Sequence, residues 1–250
     1  ALVAFHQACR SIVSGESDFA LAGGVNLHLH PHGFVAFSKA SMLSKKGRCR
    51  VFDAAADGYV RSEGGGIFIL KEYEKALADG NPILAVVAGT SVNTDGHKSG
   101  ITVPNPKAQA DLLSKAYEQA RILPQNIDYI EMHGTGTAVG DPIETQAIGV
   151  SIGRHRAKGA PLPIGSVKSN LGHLEPASGV PGLVKSLLCI QHRIIPATIG
   201  LETPNPEIHF QDWNLEVVTR NHTLDPEKKI TIGVNSFGFG GVNAHIILQS

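Results

Sequence analysis

Apolar positions recur at helical spacing from the first residues: Leu2, Val3, Phe5, Cys9, Ile12 and Val13 predict a helix over 1–14, closed by Gly15, a residue suited to a left-handed helix end. A buried strand is predicted next, from Asp18 to Val25. Tyr59 to Leu70 then reads as a glycine-rich turn and an apolar IFIL strand, expected in the interior of its sheet, ahead of a short helix from Glu72 to Ala78. From Leu84 onward the pattern alternates. Strands are predicted over 84–92, 127–132, 164–167 and 230–235, and helices over 107–121, 142–152 and 176–192. Such alternation implies an α/β fold with a mainly parallel sheet. The helix over 176–192 is apolar nearly all round, which predicts a central buried helix packed against 1–14. Pro181 inside it predicts a kink, since an interior proline costs roughly 3 kcal/mol.

Two histidines stand at the ends of predicted strands, the position where α/β sheets carry their chemistry. His133 follows Ile127 to Met132, and His173 follows Ile164 to Val167 by a short loop. Gly134 and Gly136 clear space beside the first, and Thr135 and Thr137 offer hydroxyls to a polar ligand. Asp141, Pro142 and Glu144 have the spacing of a helix cap, a first-turn proline and the third residue of a capping box. The second loop starts at Lys168, so a cation and an imidazole share one turn.

Composition narrows the class. With 42% apolar and 18% charged residues and a formal net charge of zero, nothing suggests a nucleic-acid or membrane partner. Cys9, Cys49 and Cys189 are too far apart for a zinc motif and too few for a disulfide scaffold, which points to a reducing, cytoplasmic setting. The alternating His28, His30 and His32 fall in a proline-interrupted loop with no Asp or Cys at ligand spacing, so no metal is expected. Lys45, Lys46, Arg48 and Arg50 read as a solvated loop. The chain opens in the middle of an amphipathic pattern with no capping residue, as a fragment cut inside a helix would.

The stretches EMHGTGTAVGDPIE and GSVKSNLGHLE resemble the histidine motifs of the β-ketoacyl synthase family, and within it the ketosynthase domains of modular type I polyketide synthases. The likeness extends through LAGGVN, FDAAADGYVRSEGGG, SVNTDGHKSGITVPN and NSFGFGGVNAH. It implies a thiolase-like α-β-α-β-α fold of five layers, with 1–83 the end of the first half and 84–250 the complete second half. The implied activity is that of an acyltransferase of the 3-oxoacyl synthase type, which joins a cysteine-bound acyl chain to a decarboxylated malonyl unit. His133 and His173 would stabilise the enolate and Lys168 would support them. Thr102, Thr135 and Thr137 would bind phosphopantetheine, and the Phe239 amide would donate into an oxyanion hole at a turn that, with Phe237, gates the acyl pocket.

No cofactor of its own is implied, since substrates arrive on the phosphopantetheine of an acyl carrier protein. A homodimer and neighbouring synthase domains are the other implied partners. The family's nucleophilic cysteine lies in a TACSS stretch immediately before residues similar to ALVAFHQAC, outside this chain; Cys9 matches a packing cysteine further along that helix. A fatty-acid synthase condensing domain shares the same motifs and stays open as an alternative. A non-catalytic partner of the chain-length-factor type would lack the cysteine but should also have lost the histidines, and a degradative thiolase needs a Cys-x-Gly loop where SFGFGG stands.

Overall fold

The computed structural model describes residues 1–98 and 100–250; Ser99, within the SVNTDGHKSGITVPN stretch, lies outside them. In chain order the elements are α1 (Leu2–Val13), β1 (Phe19–Asn26), α2 (His32–Lys39), β2 (Gly64–Lys71), α3 (Tyr73–Ala78), β3 (Val86–Thr94), α4 (Pro106–Gln119), β4 (Tyr129–Glu131) and α5 (Gly140–Ser151). They continue with β5 (Leu162–Gly165), α6 (Lys168–Leu171), α7 (Gly179–His192), β6 (Ile194–Ile195), β7 (Leu215–Val217), β8 (His222–Thr223), β9 (Thr231–Phe237) and β10 (Val242–Gln249).

Among the described residues six strands form the main sheet, in the order β3-β10-β9-β4-β5-β7. The pairs β9/β4, β4/β5 and β5/β7 are parallel, but β10 runs antiparallel to both β9 and β3, so the sheet is mixed. The reason is local. Only Gly238 to Gly241 separate β9 from β10, enough for a hairpin and too few for the crossover that a parallel pair requires.

One face of this sheet packs Ile130, Ile164 and Ile247 against Leu113 and Tyr117 of α4 and Ile148 of α5. The other face packs Tyr129, Ile232 and Ile246 against Leu2 and Phe5 of α1 and Leu183 and Ile190 of α7. Beyond these two helices lies the antiparallel ribbon β1/β2, whose Ala22 and Phe68 join the same cluster. The layers therefore run α4/α5, sheet, α1/α7, ribbon. Helix α1 meets α7 at their N-terminal ends, where a Cβ on Gly179 would lie 2.5 Å from Leu2 Cγ.

Three expectations need correction. The IFIL strand belongs to β2, which among the described residues pairs with β1 alone, and its alternate residues Ile67 and Ile69 are 74% and 76% exposed. Apolar content along one strand cannot tell a covered sheet from a ribbon with one open face. Helix α7 is not buried all round either, since Val184 and Leu188 are exposed. Nor does Pro181 sit in its interior. A 3₁₀ turn over Glu175–Ala177 precedes α7, which begins at Gly179, so Pro181 is in the first turn, where amides have no helical acceptor and a missing N–H costs little.

Candidate active site

Both histidines lie at the carboxyl ends of parallel strands, His133 two residues beyond β4 and His173 beyond α6, which follows β5. Their ring centroids are 5.3 Å apart and nearly perpendicular. Both rings line a cavity of about 840 Å³ together with Phe237 and Phe239 of the β9/β10 turn. Thr102, Thr135 and Thr137 line it as well, and so does Ala1, so it is the N-terminal end of α1 that faces the imidazoles. Lys168 is not on the cavity wall: it is 4% exposed, within the protein, close enough to act electrostatically on both rings.

The loop after His133 is held by two carboxylates. Glu144 Oε1 accepts the His133 amide at 2.7 Å and Asn235 Nδ2 at 2.9 Å, while Oε2 accepts the Gly134 amide at 2.8 Å. Asp141 Oδ1 accepts the Thr135 and Gly136 amides at 3.1 Å each, and Oδ2 accepts the Phe52 amide at 2.9 Å. This corrects the capping-box expectation. Helix α5 starts at Gly140 behind Val139, which offers no side-chain cap, and the two acids reach backwards to four consecutive loop amides. Burial raises both, Asp141 to about 6 and Glu144 to about 7, against the pull of those amides. The loop can be this tight because of its glycines: Gly134 and Gly136 have φ of 37° and 74°, and a Cβ on Gly134 would lie 2.7 Å from Ser166 Cβ. Thr135 and Thr137 end with their hydroxyls 3.1 Å apart.

The His173 tautomer follows from one contact. The Glu175 amide donates to His173 Nδ1 at 2.7 Å, which leaves the ring proton on Nε2. Glu175 makes this contact from a left-handed backbone, φ 44°, and its carboxylate is gripped by Arg61 through two bonds of 2.6 and 2.7 Å. Arg61 in turn lies over the rings of Phe34 and Phe37, 4.5 and 5.2 Å from their centroids. His133 has no such lock, because its Nδ1 is buried without a partner among the described residues. Burial, with the Lys168 charge added, pushes His173 down to about 3 and His133 well below the usual imidazole range. Both rings are neutral at pH 7.

On the other side of the cavity, the Phe237 ring sits 6.0 Å from that of His133, and Phe239, about half exposed, sits 6.5 Å from Phe37. Among the described residues no cysteine lines the cavity. Burial raises Cys9 to about 11 and Cys189 to about 12, so neither is a thiolate near neutral pH. Among the described residues no group of three or more His, Cys, Asp or Glu side chains is placed to hold a metal, and no helix is long and apolar enough to cross a membrane.

Residues 84–202 match the β-ketoacyl synthase C-terminal domain, 1–76 the β-ketoacyl synthase N-terminal domain and 204–250 the ketoacyl-synthetase C-terminal extension. The chain is 47% identical, over 99% of its length, to a phenolphthiocerol/phthiocerol polyketide synthase of Mycobacterium tuberculosis, of which it covers 13%. It is 46% identical over 99% of its length to probable polyketide synthase 17 of Dictyostelium discoideum, covering 10% of that protein. Among solved structures, the ketosynthase from module 6 of the bacillaene synthase of Bacillus subtilis 168 superposes with a TM-score of 0.96 at 40% identity, over all of this chain and 45% of that one. The chain belongs to the β-ketoacyl synthase family, as ketosynthase-domain sequence of the type I polyketide synthase kind, with the thiolase-like α/β fold.

Sequence reasoning missed the Arg61–Glu175 pair and a buried cluster of Tyr129, Glu131 and Lys185. The second had a signal. Glu131 and Lys185 are single charges inside otherwise apolar segments, a combination that calls for a buried partner.

A pH dependence follows from the neutral imidazoles. His133, His173 and His245, the last pushed by burial to about 3, bind protons more weakly folded than unfolded. Their contribution to stability is complete above the unfolded value near 6.5 and is lost as pH falls towards 3. Asp141 and Glu144 act oppositely, since their raised values favour the folded state on acidification below about 7. Three groups oppose two, so the melting temperature should change little from pH 7.5 to 6.5 and fall steadily below about 6. His245→Asn should flatten that acid slope by roughly one proton. An unchanged slope would mean that His245 is not held neutral.

Proposed function

We propose that this chain carries the decarboxylating half of a condensing site, working on thioesters borne by an acyl carrier protein in polyketide biosynthesis. The observation that supports it best is the pair of neutral imidazoles, 5.3 Å apart between centroids on one cavity, with the His173 proton fixed on Nε2. In this reading an acyl group is bound to a cysteine thiolate supplied by sequence preceding Ala1, whose end of α1 lines the same cavity. A malonyl thioester loses carbon dioxide, and negative charge grows on its thioester oxygen. His133 and His173 stabilise that oxygen, because donors fixed in advance act most strongly where charge develops away from water. The enolate carbon then forms its bond to the acyl carbonyl carbon, and the cysteine leaves as thiolate.

Lys168 supports both rings electrostatically. Thr102, Thr135 and Thr137 would bind the phosphopantetheine arm. The Phe239 amide would face the tetrahedral oxyanion of the acyl group, with Phe237 and Phe239 controlling entry. Residues 1–83 would be the end of the first half of the fold and 84–250 the second. A homodimer and adjoining synthase domains are the proposed assembly. Without the thiolate, residues 1–250 alone should not condense.

The test uses the full-length polypeptide in which this sequence stands, given an acyl-carrier thioester and then malonyl-carrier. An acyl adduct on the upstream cysteine, with carbon dioxide release and a 3-oxoacyl-carrier product, is the expected result. Failure to release carbon dioxide from malonyl-carrier after loading would sink the reading. The alternative, a fatty-acid condensing domain, would be favoured if only saturated acyl chains were accepted.

A further inference from the structure

Glu131, in the middle of the main sheet, and Lys185, in α7, form an ion pair with side chains only 1% and 9% exposed. Lys185 Nζ lies 2.7 Å from Glu131 Oε2 and 2.7 Å from the Tyr129 hydroxyl, which itself donates to Oε2 at 2.8 Å. Buried ion pairs add little stability compared with well-packed apolar residues, so this one is not accounted for by the core around it. What the carboxylate ties together is more informative. Its other oxygen, Oε1, accepts the Val167 amide at 2.6 Å. Val167 caps α6 directly before Lys168, and the end of α6 leads through Gly172 to His173. Glu131 itself stands two residues before His133 on the neighbouring strand. Gly182 lets α7 come this close: a Cβ there would be 3.2 Å from Glu131 Cγ.

We propose that Glu131, clamped by Lys185, is a positioning residue for the condensing reaction, fixing the Lys168 end of one loop against the His133 end of the other so that the two imidazoles keep their separation. The proposal rests on the reading of the site given above. It has an electrostatic side as well. Burial lowers Lys168, and Glu131 is the foremost charge opposing that shift, ahead of Glu144 and Asp141 from α5 and Cys49 from the loop before β2. His133 and His173 face the same ammonium and are kept neutral partly by it. Removing the Glu131 charge therefore lowers Lys168 further and weakens its hold at alkaline pH.

The informative variant is the double substitution E131M/K185M in the full-length polypeptide. It keeps bulk while removing both charges and the acceptor for the Val167 amide, and buried pairs tolerate replacement by apolar residues of similar volume. Acyl loading on the cysteine should continue and the KM for malonyl-carrier should hold. The kcat for carbon dioxide release should fall at least about tenfold, and its alkaline limb should move to lower pH. A purely structural pair predicts wild-type kcat and an unmoved limb once the variant folds, and that result would overturn the proposal. If the double variant does not melt cooperatively, E131D decides. It retains the charge but not the reach to both Val167 and Lys185; the same loss of kcat with loading intact supports the proposal, and wild-type kcat overturns it. A wild-type protein that neither loads acyl groups nor releases carbon dioxide would instead remove the reading of the site on which the proposal rests.

Discussion

Replacing His173 by alanine in the full-length polypeptide should cut carbon dioxide release from malonyl-carrier by about 10²- to 10³-fold, the usual cost of removing one fixed donor from a developing oxyanion. Loading of the acyl group on the cysteine should persist, because the function proposed above gives the imidazole to the enolate and not to the first acyl transfer. The geometry gives the two rings unequal parts. His173 is a set donor, its Nδ1 occupied by the Glu175 amide and its proton held on Nε2. His133, with Nδ1 buried and unpartnered among the described residues, has no such contact to fix its tautomer. Since alanine removes the donor in either case, His133→Ala should match His173→Ala in lost decarboxylation. His173→Gln, which can offer an amide N–H, should recover more activity than His133→Gln. Decarboxylation at the wild-type rate in either alanine variant, measured as released labelled carbon dioxide, would reassign that histidine.

The largest effect on stability is expected at Glu144. Its carboxylate is 3% exposed and accepts from three groups, the His133 and Gly134 amides and Asn235 Nδ2. Glu144→Ala strands all three donors. Each buried orphan costs about 1–3 kcal/mol, and partial relaxation makes the total about 3–5 kcal/mol. A urea titration at pH 8 should show this as a lower midpoint with a similar slope. Glu144→Gln, keeping one acceptor oxygen, should fall between alanine and wild type. A loss below about 1 kcal/mol for Glu144→Ala would show that the loop finds other acceptors.

The order of strands and helices, the two histidines and their loops are legible in the chain because they rest on local signals: apolar periodicity, glycines and short polar runs. Where the structure departs from that reading, a local pattern has a distant cause. Asp141 and Glu144 have capping-box spacing, yet the amides they satisfy lie in the preceding loop and at Phe52, which no spacing rule reaches. Pro181 looks costly only while the helix is taken to start at 176 instead of Gly179. The Arg61–Glu175 and Glu131–Lys185 pairs join residues 114 and 54 positions apart. Their charges are visible in the sequence, but their partners become visible only in the fold.

Because the four successive amides of residues 133–136 are gripped by acids on α5, the path of that stretch is set from outside it, and among the described residues only Thr137 adds a side-chain hold, its hydroxyl accepting the Gly140 amide at 3.1 Å. Thr135 can then be exchanged without loss of the backbone that presents it. A lineage of such proteins can drift at this position, sampling new contacts with whatever enters the cavity, while His133 stays in register. Heritable change in what is accepted is separated, by two carboxylates, from change in what is done to it.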